Sequence, residues 1–184
     1  MPLSQIKTNS IAAGNITTAL IASGNITSAL ITSVANTAIV GRIATAQQPT
    51  GAVLKIVNMN YSTAVGMGTG AWIDTGLTLS ITPSSTSSKI IVIANVGGLQ
   101  TYNSSTGYNF QLVRDGTGII GFGAFYGYPT SMYTVGGQLT YLDSPATTSS
   151  ITYKVQHQRA FASGSGVVNG DGSTSFFTLM EIAG

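Results

Sequence analysis

From residue 50 onward the chain alternates between apolar and polar positions. Tyr108, Phe110 and Leu112 are separated by Asn109 and Gln111, and Ile151, Tyr153, Val155 and His157 by Thr152, Lys154 and Gln156. Successive side chains on a strand point to opposite faces, so a period of two marks a strand with one buried face. Such runs predict strands over 52–57, 71–74, 77–81, 89–96, 108–112, 119–126, 132–142, 151–161 and 176–182, about nine in all. Turn formers separate them: Pro49-Thr50-Gly51, Thr75-Gly76, Pro83-Ser84-Ser85 and Arg114-Asp115-Gly116. Residues 89–96 are apolar on both parities, which predicts a fully buried central strand. No apolar pattern of period 3.6 runs for a useful length. Residues 50–184 are therefore expected to form an all-β domain, a jelly-roll-like β-sandwich knob.

Residues 1–46 follow a different rule. Ile recurs every fifth position, at Ile6, Ile11, Ile16, Ile21, Ile26 and Ile31. A ten-residue unit runs through it, Gly14-Asn15-Ile16-Thr17-Thr18-Ala19-Leu20-Ile21 and then Gly24-Asn25-Ile26-Thr27-Ser28-Ala29-Leu30-Ile31. Five helical steps rotate by roughly 140°, so these Ile make no stripe on a helix. On a strand the odd spacing sends them alternately to both faces. A coil with a turn in every unit fits the period, Gly14 and Gly24 permitting the bends. Such a unit cannot bury its Ile row alone. Three chains sharing one axis would bury it, which makes the six Ile the candidate packing residues of a trimeric stalk. A flexible Ser/Thr-rich linker is the alternative.

Composition narrows the function. Charged residues are 7% of the chain and hydrophobic ones 43%, against roughly 25% charged in an ordinary domain. That balance is unlike disorder and points to apolar surface held against other copies of the chain. No apolar stretch reaches the roughly 20 residues of a membrane helix, so no membrane partner is expected. The opening Met-Pro-Leu-Ser-Gln-Ile-Lys lacks the apolar core of a secretory signal. There is no Cys, hence no disulfide or thiolate metal site. The seven basic residues are scattered, which argues against nucleic acid as a partner.

The residues able to do acid–base chemistry are few: His157, Asp74, Asp115, Asp143, Asp171 and Glu181. Asp115-Gly116 and Asp171-Gly172 read as turns in which Asp bonds its own backbone, and Asp143 before Ser-Pro as another turn residue. No phosphate loop, nucleophile elbow or close-spaced ligand set is present, so neither catalysis nor a cofactor or metal is expected. His157 continues the buried parity of its strand and reads as a hydrogen-bonded core or interface residue. Glu181 shares a face with Phe177 and Leu179 and needs a partner such as Arg159 or Arg114. Trp72, between Ala71 and Ile73, reads as a packing residue. Aromatic side chains in loop-like segments are the best candidates for contact with a receptor: Tyr102, Tyr126, Tyr128 and Tyr133.

The decapeptide run resembles the Ile-Thr-Thr-Ala-x-Ile-Ala-x-Gly repeats near the N-termini of phage tail-fibre and related virion fibre proteins. More loosely, it is similar to pentapeptide-repeat coils. Thr75-Gly76-Leu77 with Pro83, Ser87-Ser88-Lys89-Ile90, Asp143-Ser144-Pro145 with Tyr153, and the closing Leu179-Met180-Glu181-Ile182 resemble phage fibre tips. The resemblance implies a non-enzymatic homotrimer located in the virion, as a tail fibre or spike. Residues 1–46 would join other virion proteins, and the knob would face a host surface glycan or protein. A capsid decoration or head-fibre protein is the second reading, and a carbohydrate-binding adhesin module the third.

Overall fold

A computed structural model describes residues 48–67, 70–102, 106–127, 132–134, 136–160 and 164–184. They lie within one compact unit, residues 43–184. The repeat with its six Ile lies outside the described residues.

Eight long strands carry the fold: β1 (Val53–Tyr61), β3 (Ile73–Ile81), β4 (Lys89–Val96), β6 (Thr106–Arg114), β7 (Thr117–Gly127), β9 (Gly137–Asp143), β10 (Ile151–Arg159) and β12 (Ser175–Ile182). All pairing is antiparallel. The first long strand pairs with the last, β1 with β12; the second with the second-last, β3 with β10; the third with the third-last, β4 with β9; and the middle two, β6 and β7, with each other. A chain doubled back like this and rolled over itself is a jelly roll. It yields two four-stranded sheets, β1-β12-β4-β9 and β3-β10-β6-β7. Four short strands, β2 (Val65–Gly66), β5 (Leu99–Tyr102), β8 (Met132–Thr134) and β11 (Ser165–Val168), come from connections between long strands and pair as a third sheet, β2-β11-β5-β8.

The core lies between the two large sheets. One contributes Ile90, Val92, Ala94, Phe177 and Leu179, the other Leu77, Tyr108, Phe110, Leu112, Tyr153 and Val155, all buried. Burying each large side chain contributes roughly 1.5–3 kcal/mol. Turn chemistry fixes the register. The hairpin between β6 and β7 has two residues, Asp115 at φ 47° and Gly116 at φ 85°, so both central positions are left-handed, as in a type I′ turn.

The structure departs from the sequence reading at four places. Thr75-Gly76 does not break a strand; it is a bulge inside β3. The backbone between Asp74 and Thr78 is matched only by the stretch between Lys154 and Gln156. Thr75 Oγ1 donates to the Val155 carbonyl at 2.9 Å, and Gly76 takes φ 92° beneath the Tyr61 ring. Residues 132–142 are two strands, β8 and β9, with Gly136 at φ 106° between them. The short strands β2, β5 and β11 were not expected. Finally, β4 is central but buried on one face only: Ile90, Val92, Ala94 and Val96 point inward, while Ile93 is 36% exposed.

Candidate functional surfaces and polar sites

The outward face of β1-β12-β4-β9 carries one wholly apolar row, and further apolar side chains stand among neutral polar ones beside it. Register places Ile56, Met180, Ile91 and Leu142 side by side in one row across all four strands. The next row holds Asn58, Thr178, Ile93 and Thr140, and the third Asn60, Phe176, Asn95 and Gln138. None of these twelve positions is charged. Ile56 is 56% exposed, Leu142 52% and Phe176 50%. Scattered exposed apolar residues are ordinary, but a contiguous patch marks an interaction surface.

The outward face of β3-β10-β6-β7 is polar, and its groups satisfy one another laterally. Ser80 and Thr152 share a hydrogen bond at 2.8 Å. Asp74 accepts from Lys154 Nζ at 3.0 Å and from Gln156 Nε2 at 2.7 Å, and Gln111 Nε2 donates to Gln156 Oε1 at 2.7 Å. Burial works against the Asp74 carboxylate, but the bonds from Gln156 and Lys154 outweigh it and hold its pKa below the ordinary value. At one end of this face lies a shallow depression of about 370 Å³ lined by Trp72, Asn109, Phe110, Gly121, Phe122 and Gly123. Gly123 is the extra residue of a bulge opposite Asn109 and Phe110, at φ 60°, a conformation that favours glycine. Trp72, expected to pack, is 38% exposed.

The buried polar groups occupy separate sites. Asp143 ends β9, 6% exposed, and is a buried ion-pair partner rather than the turn residue its Ser-Pro context suggested. It accepts from Arg114 Nη1 at 2.8 and 2.7 Å and from the Tyr153 hydroxyl at 2.5 Å. The bond to Asp143 raises the Arg114 pKa, and burial with the same carboxylate pushes the Tyr153 hydroxyl well above the usual phenol range. Glu181 is fully buried and is not partnered by Arg114 or Arg159. It accepts from the Ser84 amide at 2.5 Å, the Ser84 hydroxyl at 3.2 Å and the Ser88 hydroxyl at 2.8 Å, with Lys55 Nζ at 3.8 Å. One carboxylate thus ties the 84–88 loop to β12. Asp115 accepts from the Thr152 amide at 2.8 Å, so it bonds the neighbouring strand and not its own turn.

His157 is fully buried, as its parity predicts, but neither ring nitrogen has a hydrogen-bond partner. It sits against the rings of Tyr108, 6.0 Å between centroids, and Phe110, 6.5 Å. Burial alone lowers its pKa to about 4, so the imidazole is neutral at neutral pH. Among the described residues, no three His, Cys, Asp or Glu are grouped so as to hold a metal ion.

Of the tyrosines singled out for receptor contact, Tyr102 ends β5, half-buried, with its hydroxyl donating to Gln100 Oε1. Tyr133 lies on the adjacent β8, in register with Gln100. Tyr126 lies on β7, opposite Gly107, and Tyr128 falls outside the described residues. The sequence reading took Trp72 for a packing residue and passed over the outer face of β1-β12-β4-β9. The double-sided apolarity of residues 89–96 was the available signal for the face.

No family model matches the chain, and no curated protein matches it. Similar solved structures include the infectious bursal disease virus Gx strain, at 14% identity and TM-score 0.41, covering 79% of this chain and 37% of that one. A mutant VP2 protein of the same virus, in derived T=1 particles, is 16% identical with TM-score 0.31, covering 70% of this chain and 36% of that one. Its VP2 subviral particle is 14% identical with TM-score 0.30, covering 71% and 38%. The chain thus spans little more than a third of the length of these proteins.

Proposed function

We propose that this chain is a non-enzymatic structural protein of a bacteriophage virion, a homotrimeric tail fibre or spike. Its knob is the jelly roll, and residues 1–46 join it to other virion proteins. The observation that carries the assembly part is the outer face of β1-β12-β4-β9, where three adjacent rows hold twelve uncharged positions, six of them apolar. Left in water, that face would expose Ile56, Ile93, Leu142 and Phe176 together. A second copy of the chain is the occupant this face fits. Rows without charge meet their own copies with no like-charge contact, and three copies can share such rows around one axis. The polar face, whose side chains bond one another, is suited to solvent.

The virion part rests on the repeat and on the fibre-tip phrases, and jelly rolls are recurrent in viral capsid and lectin domains. A structural role without catalysis is supported by the engagement of Asp74, Asp143 and Glu181 in three separate bonding groups. Attachment to a host surface glycan or protein follows from a knob held at the far end of a stalk, where threefold avidity strengthens weak contacts.

Immunogold labelling of intact particles with antibody against the knob tests this reading. Label at the tail supports the fibre, label over the head favours a capsid decoration or head fibre, and unlabelled particles beside labelled free protein contradict a virion protein.

A further inference from the structure

The depression beside Trp72 has a chemistry of its own. An exposed indole stands at one side, 38% accessible. Gly121 and Gly123 leave the backbone of β7 bare at the other, because neither carries a side chain to fill the space. Asn109 lines the same depression, half-buried, and its amide makes no hydrogen bond among the described residues. A planar amide offers both a donor and an acceptor. The charged pair on this face, Asp74 and Lys154, is mutually engaged at 3.0 Å. The site thus offers a flat aromatic face, a free donor–acceptor group, an open floor and no unpaired charge.

We infer that this depression binds a neutral saccharide, one pyranose ring stacking on Trp72 and hydroxyls of that ring bonding the Asn109 amide. Aromatic faces take the apolar side of a sugar while polar groups at the rim fix its orientation. At about 370 Å³ the depression is at the lower end of small-ligand sites, roughly 300–1,000 Å³, which suits one or two rings of a longer chain. The bulge at Gly123 opens the floor: bulges recur next to binding sites, where they re-aim the strand. The inference deepens the attachment part of the function proposed above and is independent of how many copies assemble.

Trp72 is the sole tryptophan of the chain, so its fluorescence reports on this site alone. The full chain is titrated with maltohexaose, chitohexaose, a linear galactan and a mannan, with polygalacturonate as the charged control. The expected result is a saturable spectral shift with at least one neutral glycan, and none with polygalacturonate. Calorimetry with Asn109→Ala and Trp72→Ala should then show at least tenfold weaker binding. Light scattering and thermal midpoints on the same samples verify that mass and fold are unchanged. The inference is overturned by no saturable shift with any neutral glycan, by preference for polygalacturonate, or by wild-type affinity in both variants. Any of these with the oligomer intact leaves the assembly reading standing, whereas a monomeric chain that still binds glycan would overturn assembly and leave this site.

Discussion

Replacing His157 by Leu should abolish most of the acid sensitivity of the fold between neutral pH and pH 4.5. His157 is the only histidine of the chain, fully buried, with both ring nitrogens unpartnered between Tyr108 and Phe110. In the unfolded chain it titrates near 6.5, and in the fold near 4, because burial disfavours the cation. Between those values the unfolded state binds more protons than the native state, so stability falls as pH falls. The linkage expression puts the loss at roughly 2 kcal/mol at pH 5 and about 3 kcal/mol at pH 4. Asp74, whose pKa is lowered, adds its own loss only below the ordinary carboxylate range, so the window above pH 4.5 is dominated by His157. Urea midpoints at pH 7.5, 6, 5 and 4.5, at one protein concentration, should decline steadily for the wild type. They should stay nearly flat for His157→Leu, which also removes two unpartnered polar atoms and should be the more stable protein at each pH. A wild-type midpoint that does not move, or an equal decline in the variant, would refute the reasoning.

Asp143→Ala should destabilise the fold by about 2–4 kcal/mol in urea unfolding, since it strands the Tyr153 hydroxyl in the core and leaves Arg114 without its carboxylate. Glu181→Ala should loosen the 84–88 loop, seen as faster hydrogen exchange at the Ser84 amide with little change in the remaining β-sheet amides. Ile16→Ala combined with Ile26→Ala should abolish protease resistance of residues 10–35 if they form a shared coil, each buried Ile contributing roughly 2–5 kcal/mol; an unchanged digestion pattern would identify a linker.

Local pattern made much of the fold legible. The span 89–96 matches β4 at both ends, and the alternation around Tyr108 and Tyr153 correctly placed the inward faces of β6 and β10. What pattern could not show is pairing. The jelly-roll closure of β1 on β12 joins residues more than a hundred positions apart, and no local signal encodes it. The short strands β2, β5 and β11 hold too few residues for a period to show, and they exist because neighbouring connections hydrogen-bond one another. Thr75-Gly76 reads as a turn because Gly76 needs a positive φ, a requirement that a bulge shares with a turn. The candidate surfaces were the least legible. Double-sided apolarity in β4 was read as complete burial because a chain considered alone has no other place for such residues; cross-strand register turns it into a row with Ile56, Met180 and Leu142. Trp72 was read as packing because its apolar sequence neighbours say nothing about Asn109 and Gly123, which reach it only across the sheet.

The claim that copies of this chain meet through the outer face of β1-β12-β4-β9 is tested most directly by mass in solution. Light scattering should give the wild-type chain about three times its 18.8 kDa at micromolar concentration. Ile56→Glu with Leu142→Glu changes two side chains that are more than half exposed, so the knob should fold as before. Combined with Ile16→Ala and Ile26→Ala, so that no shared coil holds the chains together, that variant should run as an 18.8 kDa monomer with an unchanged sheet signal in circular dichroism. Ile16→Ala with Ile26→Ala alone should keep the threefold mass. A monomeric wild type, or a folded combined variant that keeps the threefold mass, would contradict the account.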